Sequence, residues 1–361
     1  MCSAPADPGN DVGGAPSNNN QSGSASGGAG GSSVLPVGGT DATAGTAGMA
    51  AGTSAGGSAP VAGSGGDAGG SSSAGAGGTG MSDPVGPQPT MGCMAPDPGE
   101  APQTWLTRDI MVANLPADQQ AMFAARKYFV RLPVGYDHTR AYPLVFWGPG
   151  CGASNVEGTP MMDQIKNDAI HVFLLQKSSC FSTGSFPSPE VPYFTQALDE
   201  VQAKYCTDAG KVFVSGYSSG GWLSNVLACA MGKRIRGIGT AAGGLKKEII
   251  DGYKCEGMMG APATGIFYSG ENDTTNPADK KDANGFQIGV WGARDRLIAS
   301  NGCDAMASEP YPDNPICTVW KQGCPNNPVL FCVGPGDGHG NGGGKFNVSN
   351  KTFWDVWMSV K

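Results

Sequence analysis

The sequence predicts an α/β protein in which a mostly parallel sheet is covered by helices on both faces. The first observation is a series of short apolar segments that alternate with segments of helical spacing. The second is that most of these short segments are apolar throughout, which is typical of strands buried on both sides. In such sheets, ligand sites lie beyond the carboxyl ends of the strands, so the loops after strands are where functional residues are expected.

The predicted elements follow one another along most of the chain. Strands are expected at 128–132, 143–147, 169–175, 211–215, 237–241, 265–268 and 329–333. Helices are expected at 190–205, 221–231, 290–299 and 350–360. The first helix is indicated by apolar residues that recur on one face, and the second by a run of small and apolar residues.

Residues 1–92 differ in composition from the rest and are predicted to be a disordered tail before a single domain, residues 93–361. The tail contains 26 of the 59 glycines and no aromatic residue, so it cannot bury enough apolar surface to offset its ordering entropy. Its five aspartates carry most of the formal net charge of −7 and leave the domain nearly neutral. A near-neutral domain without a basic run excludes nucleic acid as an expected partner.

The cysteines indicate an exported protein. Ten of the eleven lie in the predicted domain, and no pair of C-x-x-C motifs offers a zinc site. We therefore expect disulfides, with no metal and no cofactor, against the alternative of reduced cytosolic thiols. The short Cys317–Cys324 loop and the Cys229–Cys255 pair are the pairings that we consider.

The eleventh cysteine, Cys2, follows the first methionine at the start of the tail. This start resembles a bacterial lipoprotein whose signal was trimmed, with Cys2 as the lipidated residue; an incidental thiol is the alternative. No apolar run approaches the roughly 20 residues that cross a bilayer. We expect a secreted or cell-surface monomer that meets a membrane only through lipid on Cys2.

A candidate nucleophile lies in residues 216–220, which match G-x-S-x-G. The motif directly follows the 211–215 strand and directly precedes the 221–231 helix. A sharp strand-to-helix turn of this kind raises its central serine above the sheet and needs small neighbours. Ser218 is therefore predicted to be a nucleophile; the alternative is a structural turn serine.

A serine nucleophile needs a general base, and the chain has three histidines. His171 lies in a predicted apolar strand and is expected in the core, whereas His138 lies in a polar turn and is expected in solvent. His339 lies in a glycine-rich loop after the last predicted strand. This is the position of the base in the chain order serine, acid, histidine, so His339 is the predicted base.

The acid that orients the base should follow a strand between the nucleophile and the base. Asp273 is the predicted acid, because the segment 268–273 starts at the end of the 265–268 strand. The competing carboxylates lie in nearby or later loops: Glu271, Asp279, Asp282 and Asp337.

Acyl transfer also needs two backbone N–H donors for the oxyanion that develops. One is predicted at Ser219, directly after the nucleophile. The other is expected in the glycine-rich turn 148–152, where Pro149 has no N–H and Cys151 is preferred to Gly150. Aromatic residues near these motifs are candidates for lining a substrate cleft, with core packing as the alternative: Trp147, Tyr217, Phe181 and Trp222.

From about residue 126 onward, the order of these motifs resembles carbohydrate esterase family 1. This group contains secreted feruloyl and acetylxylan esterases together with polyhydroxybutyrate depolymerases. The similar segments are 143–152, 206–222, 268–273 and Gly338-His339 with the aromatic helix that follows. The chain departs from the family where His-Gly is replaced by Pro149-Gly150 and by Ser269-Gly270. The resemblance implies an α/β-hydrolase fold and activity on feruloyl or acetyl esters of plant polysaccharide, with a polyester such as polyhydroxybutyrate as the alternative substrate.

The residues and the resemblance together predict a secreted or surface-tethered serine esterase that works through an acyl-enzyme. Ser218 would attack the ester carbonyl, His339 would move the proton, and Asp273 would hold His339. Two other classes stay open. A serine peptidase uses the same residues, although no second domain is evident for it. A non-catalytic binding module on an esterase fold is the other alternative.

Overall fold

The computed structural model describes residues 86–156, 165–255, 263–279, 287–339 and 350–359. Most of the predicted tail, including Cys2, lies outside the described residues, and so does the competing acid Asp282. Within the described part of the chain, no helix combines the length and apolar character that crossing a membrane requires.

The described residues form twelve strands and six α-helices. The strands are β1 (Leu106–Met111), β2 (Ala125–Arg131), β3 (Tyr142–Gly148), β4 (Ile170–Leu174), β5 (Thr207–Tyr217), β6 (Gly237–Ala241), β7 (Leu245–Lys246), β8 (Thr264–Gly270), β9 (Gln287–Ile288), β10 (Ser308–Pro310), β11 (Cys317–Trp320) and β12 (Val329–Gly334). The α-helices are α1 (Ala117–Phe123), α2 (Glu190–Lys204), α3 (Ser219–Met231), α4 (Lys247–Tyr253), α5 (Val290–Asn301) and α6 (Asn350–Ser359). Two short 3-10 helices are Met91–Cys93 and Gly232–Arg234.

Ten strands form one sheet in the order β1-β2-β4-β3-β5-β6-β8-β12-β11-β10, and β7 pairs with β9 in a second small sheet. The six central strands, from β4 to β12, run parallel. The two strands at each edge are added by antiparallel pairing. The predicted mostly parallel sheet is confirmed, and every predicted strand and helix overlaps an observed one.

Side chains along the central strands alternate between two cores. Leu144 and Phe146 of β3 face a core that α2, α3, α4 and α5 cover. Val145 and Trp147 face the opposite core, which α6 covers with Phe353 and other residues. Because each face of a buried strand needs its own cover, this alternation explains why the strand segments are apolar throughout.

Five disulfides join the ten cysteines of the domain: Cys93–Cys206, Cys151–Cys180, Cys229–Cys255, Cys303–Cys324 and Cys317–Cys332. The Cys229–Cys255 pairing is confirmed. The Cys317–Cys324 pairing is wrong, because Cys317 lies directly opposite Cys332 in the antiparallel register of β11 and β12. Cys324 lies beyond the end of β11 and pairs with Cys303. So many disulfides support an extracytoplasmic location.

A buried ion pair lies near the carboxyl end of β4. Arg126 of β2 and Glu190 of α2 are 2.8 Å apart, and both side chains are inaccessible to solvent. Arg126 also donates to the carbonyl oxygen of Leu175, at 3.1 Å. Glu190 accepts the N–H of Ser182, at 2.9 Å. The pair therefore holds both ends of the chain segment that leaves β4 and leads to α2.

Replacing Glu190 with alanine should lower the free energy of unfolding by about 3–5 kcal/mol, because Arg126 then stays buried without its partner charge. The matched control is Asp199→Ala, which removes a 2.6 Å pair with Arg234 whose side chains are 57% and 37% exposed. That variant should lose less than about 1 kcal/mol. Denaturant unfolding with the disulfides intact measures both losses. Equal losses in the free energy of unfolding would show that the buried pair contributes no more to stability than the exposed pair.

Candidate active site

Ser218 lies at the turn between β5 and α3, with φ 51° and ψ −113°. A positive φ is uncommon for a residue with a side chain and stores strain at the turn. The turn is held by two backbone hydrogen bonds: the N–H of Ser218 donates to Ala241, at 2.8 Å, and its carbonyl oxygen accepts the N–H of Trp222, at 3.0 Å. The strand-to-helix turn that the G-x-S-x-G motif predicts is therefore present at the carboxyl end of β5.

Glycines allow the turn after β3 to pack directly against this serine turn. A Cβ atom at Gly220 would lie 1.8 Å from the carbonyl oxygen of Gly148, and one at Gly216 would lie 2.6 Å from the same oxygen. No side chain fits at either position. The contact places the 148–152 turn beside Ser218, where the sequence predicts the second oxyanion donor.

The structure brings together the three predicted catalytic side chains. His339 Nε2 lies 2.9 Å from Ser218 Oγ, and His339 Nδ1 lies 2.9 Å from Asp273 Oδ2. The Asp273 side chain is fully buried, whereas that of His339 is 23% exposed. Asp273 Oδ1 also accepts the backbone N–H groups of Thr275 and Asn276, at 2.9 and 2.8 Å. These bonds fix the carboxylate against the imidazole, in the arrangement that activates a serine nucleophile.

The competing carboxylates have other contacts. Glu271 accepts a backbone N–H of the loop after β12, at 2.9 Å. Asp337 accepts a hydrogen bond from a tyrosine hydroxyl on β8. Both contacts join the β8 and β12 loops, so these carboxylates help to shape the loop that carries His339. Asp279 is exposed to solvent.

The other two histidines lie where the sequence places them. His171 is fully buried on β4, and its Nε2 lies 3.2 Å from the carbonyl oxygen of Ile165. The side chain of His138 is 38% exposed, and its Nδ1 lies 4.0 Å from a carboxylate oxygen of Asp97. In the part of the chain that the structure describes, no cluster of three or more His, Cys, Asp or Glu side chains is arranged to hold a metal ion.

Both predicted oxyanion donors lie near Ser218. Ser219 is the first residue of α3, where backbone N–H groups have no acceptor within the helix. Its side-chain oxygen is occupied by the N–H of Phe181, at 2.8 Å. Cys151 follows Gly150, at which a Cβ atom would lie 3.6 Å from the Cβ of Ser218. Gly150 therefore borders the candidate nucleophile, and Cys151 is the next residue along the chain.

The four aromatic candidates for a substrate cleft differ in exposure. Tyr217 is partly exposed, and its ring centroid lies 5.4 Å from that of His339. Burial raises the pKa of the Tyr217 phenol, so the side chain stays neutral near pH 7. Trp147, Phe181 and Trp222 are only 4%, 4% and 8% exposed. Their burial favours the core-packing alternative for these three, whereas Tyr217 has a partly exposed ring beside His339.

Two amide side chains that contact the backbone near the site were not predicted from the sequence. Asn276 Nδ2 donates to the carbonyl oxygen of Ala242, at 2.8 Å. Gln176 Nε2 donates to the carbonyl oxygen of Gly150, at 3.0 Å. Both residues follow the carboxyl end of a predicted strand, and that position is the signal that could have identified them.

This sheet order, with a serine turn after β5 and partners after β8 and β12, is that of the α/β-hydrolase fold. No protein-family model matches the chain. The chain is 25% identical over 236 residues to feruloyl esterase B of Piromyces equi, a match that covers 61% of this chain and 44% of that protein. It is 27% identical over 233 residues to feruloyl esterase D of Neurospora crassa, covering 59% of this chain and 73% of that protein.

Among solved structures, the chain is similar to an acetyl xylan esterase from Aspergillus awamori. The TM-score is 0.50 at 13% identity, and the match covers 70% of this chain and 99% of that one. At this identity the likeness concerns the fold. Together with the sequence relatives, it confirms the resemblance to carbohydrate esterases of the feruloyl esterase type. The match spans less than half of the Piromyces equi protein.

A serine-directed fluorophosphonate should label Ser218, because His339 lies in position to take the proton of its hydroxyl. Asp273→Asn should slow labelling by a factor on the order of 10⁴, the loss in rate seen when a triad carboxylate becomes an amide. The matched control is Glu271→Gln, which alters a neighbouring carboxylate and keeps an acceptor oxygen. Intact-mass spectrometry over time measures the rates. Labelling of Ser218→Ala, or equal rates for the two carboxylate variants, would contradict the assignment.

Proposed function

We propose that this protein is a serine esterase that hydrolyses feruloyl or acetyl esters on plant polysaccharide. The observation that carries the proposal is the hydrogen-bonded series Ser218, His339 and Asp273 beside a backbone turn able to donate N–H groups. The similarity to feruloyl esterases supports the substrate class. Tyr217 offers an aromatic ring beside His339 on which a feruloyl group can stack.

In the first half of the reaction, Ser218 Oγ attacks the ester carbonyl carbon while His339 Nε2 takes the hydroxyl proton. The carbonyl π electrons move onto oxygen, and the N–H groups of Ser219 and Cys151 stabilise the resulting oxyanion. When the carbonyl re-forms, the bond to the alkoxy oxygen breaks. His339 gives its proton to the leaving alcohol, and an acyl-enzyme on Ser218 remains.

In the second half, water attacks the acyl-enzyme and His339 takes one of the water protons. The second oxyanion collapses, the bond to Ser218 Oγ breaks, and His339 returns the proton to the serine. One water is consumed, and one carboxylic acid and one alcohol are released. Asp273 holds the imidazole in one orientation and stabilises its charged form. No step needs a metal or a cofactor.

We also propose that the domain of residues 93–361 works outside the cytoplasm as a monomer, either secreted or held at a cell surface by lipid on Cys2. Five disulfides support export. Ordered contacts of the domain begin slightly before residue 93, since Gln88 and Thr90 donate to Asp208 and Thr207. The lipid proposal rests on Cys2 being the one cysteine of the glycine- and serine-rich tail, apart from the ten of the domain.

The substrate class is tested with the oxidised protein and Ser218→Ala on four substrates: p-nitrophenyl acetate, methyl ferulate, acetylated xylan and a hydroxybutyrate polymer. Wild type should hydrolyse the first three, and the variant should lose activity by a factor on the order of 10⁶, since the serine is the nucleophile. Preference for the hydroxybutyrate polymer would favour the polyester alternative.

A folded wild type that hydrolyses none of the four substrates would overturn the esterase proposal. Release of p-nitroaniline from peptide anilides would then favour a serine peptidase. Inertness toward esters, anilides and fluorophosphonate would favour a non-catalytic binding module.

A further inference from the structure

Gln176 lies beside the turn that follows β3, although it belongs to a different part of the chain. β3 and β4 pair in parallel with Trp147 opposite Phe173, so Gly150 and Gln176 each lie three residues beyond a paired position. The Gln176 residue is 6% exposed. Its Nε2 donates to the carbonyl oxygen of Gly150, at 3.0 Å, and to that of Ser179, at 3.4 Å.

The contact with Gly150 controls the direction of one peptide group. The peptide between Gly150 and Cys151 is planar and trans, so its carbonyl oxygen and its N–H point in opposite directions. Gln176 holds the carbonyl oxygen, and the N–H on the other side belongs to Cys151. Gly150 offers little resistance to rotation of this peptide, because glycine adopts many backbone conformations. A rotation of the peptide plane by about 180° would direct the carbonyl oxygen to the place where the N–H is needed.

We infer that Gln176 is a positioning residue that holds the Gly150–Cys151 peptide with its N–H available to the oxyanion. The inference rests on the proposed function, because only acyl transfer at Ser218 requires that donor. Without the amide of Gln176, the peptide samples orientations in which the oxyanion has one N–H donor instead of two.

The same short segment supports both predicted donors. Gly152 donates to the carbonyl oxygen of Ser179, at 2.5 Å, and Cys151 is disulfide-bonded to Cys180. These bonds fix the far side of the turn. The N–H of Phe181 donates to the side-chain oxygen of Ser219, at 2.8 Å. The segment 176–181 therefore links the start of α3 to the turn after β3. Within this segment, Gln176 is the residue whose side chain contacts the carbonyl oxygen of Gly150.

Gln176→Met tests the inference, because it removes the amide and keeps the length of the side chain. With methyl ferulate, kcat should fall about 10- to 100-fold, less than the roughly 10²- to 10³-fold loss of an entire oxyanion donor. KM should stay within about twofold, since the ground-state ester makes less use of the donor. Gln176→Glu keeps the shape of the side chain but removes the N–H donor at neutral pH. It should likewise lower kcat and leave KM nearly unchanged.

Two measurements separate positioning from a general structural effect. The affinity for phenylboronic acid, which forms a tetrahedral anionic adduct with a catalytic serine, should fall by the same factor as kcat. The affinity for the product ferulate should not change. The matched control is Gln103→Met, because Gln103 also donates to two carbonyl oxygens, those of Leu132 and Lys166, at 3.1 and 3.0 Å. This control should keep the wild-type kcat and boronate affinity.

The inference is overturned if both Gln176 variants keep the wild-type kcat, or if their boronate affinity changes no more than that of Gln103→Met. A loss of kcat with unchanged boronate affinity also overturns it. Failure of the proposed function is recognised separately, by a wild-type protein that neither hydrolyses esters nor reacts with fluorophosphonate.

Discussion

The direct backbone contact between Gly148 and Gly220 is the constraint on which the rest of the site depends. It brings the turn after β3 against the start of α3 at a distance that no side chain permits. Ser218, in the turn between β5 and α3, has a positive φ and lies between the start of α3 and the glycine-rich turn after β3. A residue with a side chain at position 220 would move these two elements apart. The candidate nucleophile and the peptide that borders it would then no longer lie next to each other.

The parallel sheet itself brings the candidate acid and the candidate base next to Ser218. β8 and β12 are neighbours in register, with Gly270 opposite Gly334, so their loops leave the sheet at one edge. Asp273 lies three residues beyond the first strand and His339 five residues beyond the second. The buried carboxylate is fixed by backbone N–H groups, whereas the imidazole stays partly exposed. The imidazole of His339 therefore reaches solvent, and the carboxylate of Asp273 lies behind it.

The sequence was sufficient for the central part of this structure and insufficient for its edges. Strands buried on both faces are continuous apolar runs, so the six parallel strands were all predicted. The edge strand Leu106–Met111 has a charged residue among its inward positions and an exposed methionine at its end, and Ser308–Pro310 is exposed throughout, so neither is a continuous apolar run. The predicted pairing of Cys317 failed because pairing depends on the β11–β12 register rather than on loop length.

The candidate site shows the same division. Ser218, Asp273 and His339 could be identified because each follows a predicted strand in a known chain order. Gln176 could not be assigned a role, since its contact with Gly150 depends on how β3 and β4 align. The exposure of the aromatic candidates was also undetermined, because a run such as 143–147 is apolar on both faces and does not say which ring reaches a surface.

The disulfide between Cys93 and Cys206 determines where the domain is joined to whatever precedes it. Cys206 directly precedes β5, and Ser218 directly follows the other end of the same strand. β5 pairs with β3 at Thr207–Tyr142 and at Gly216–Gly148, and this stretch of β3 spans about 20 Å, so the junction and the serine lie at opposite ends of the strand. Immobilisation on a solid support, or fusion to a carrier protein, through the amino-terminal side therefore places the point of attachment away from the end of β5 that precedes Ser218. Such a linkage keeps the support or the carrier protein away from Ser218.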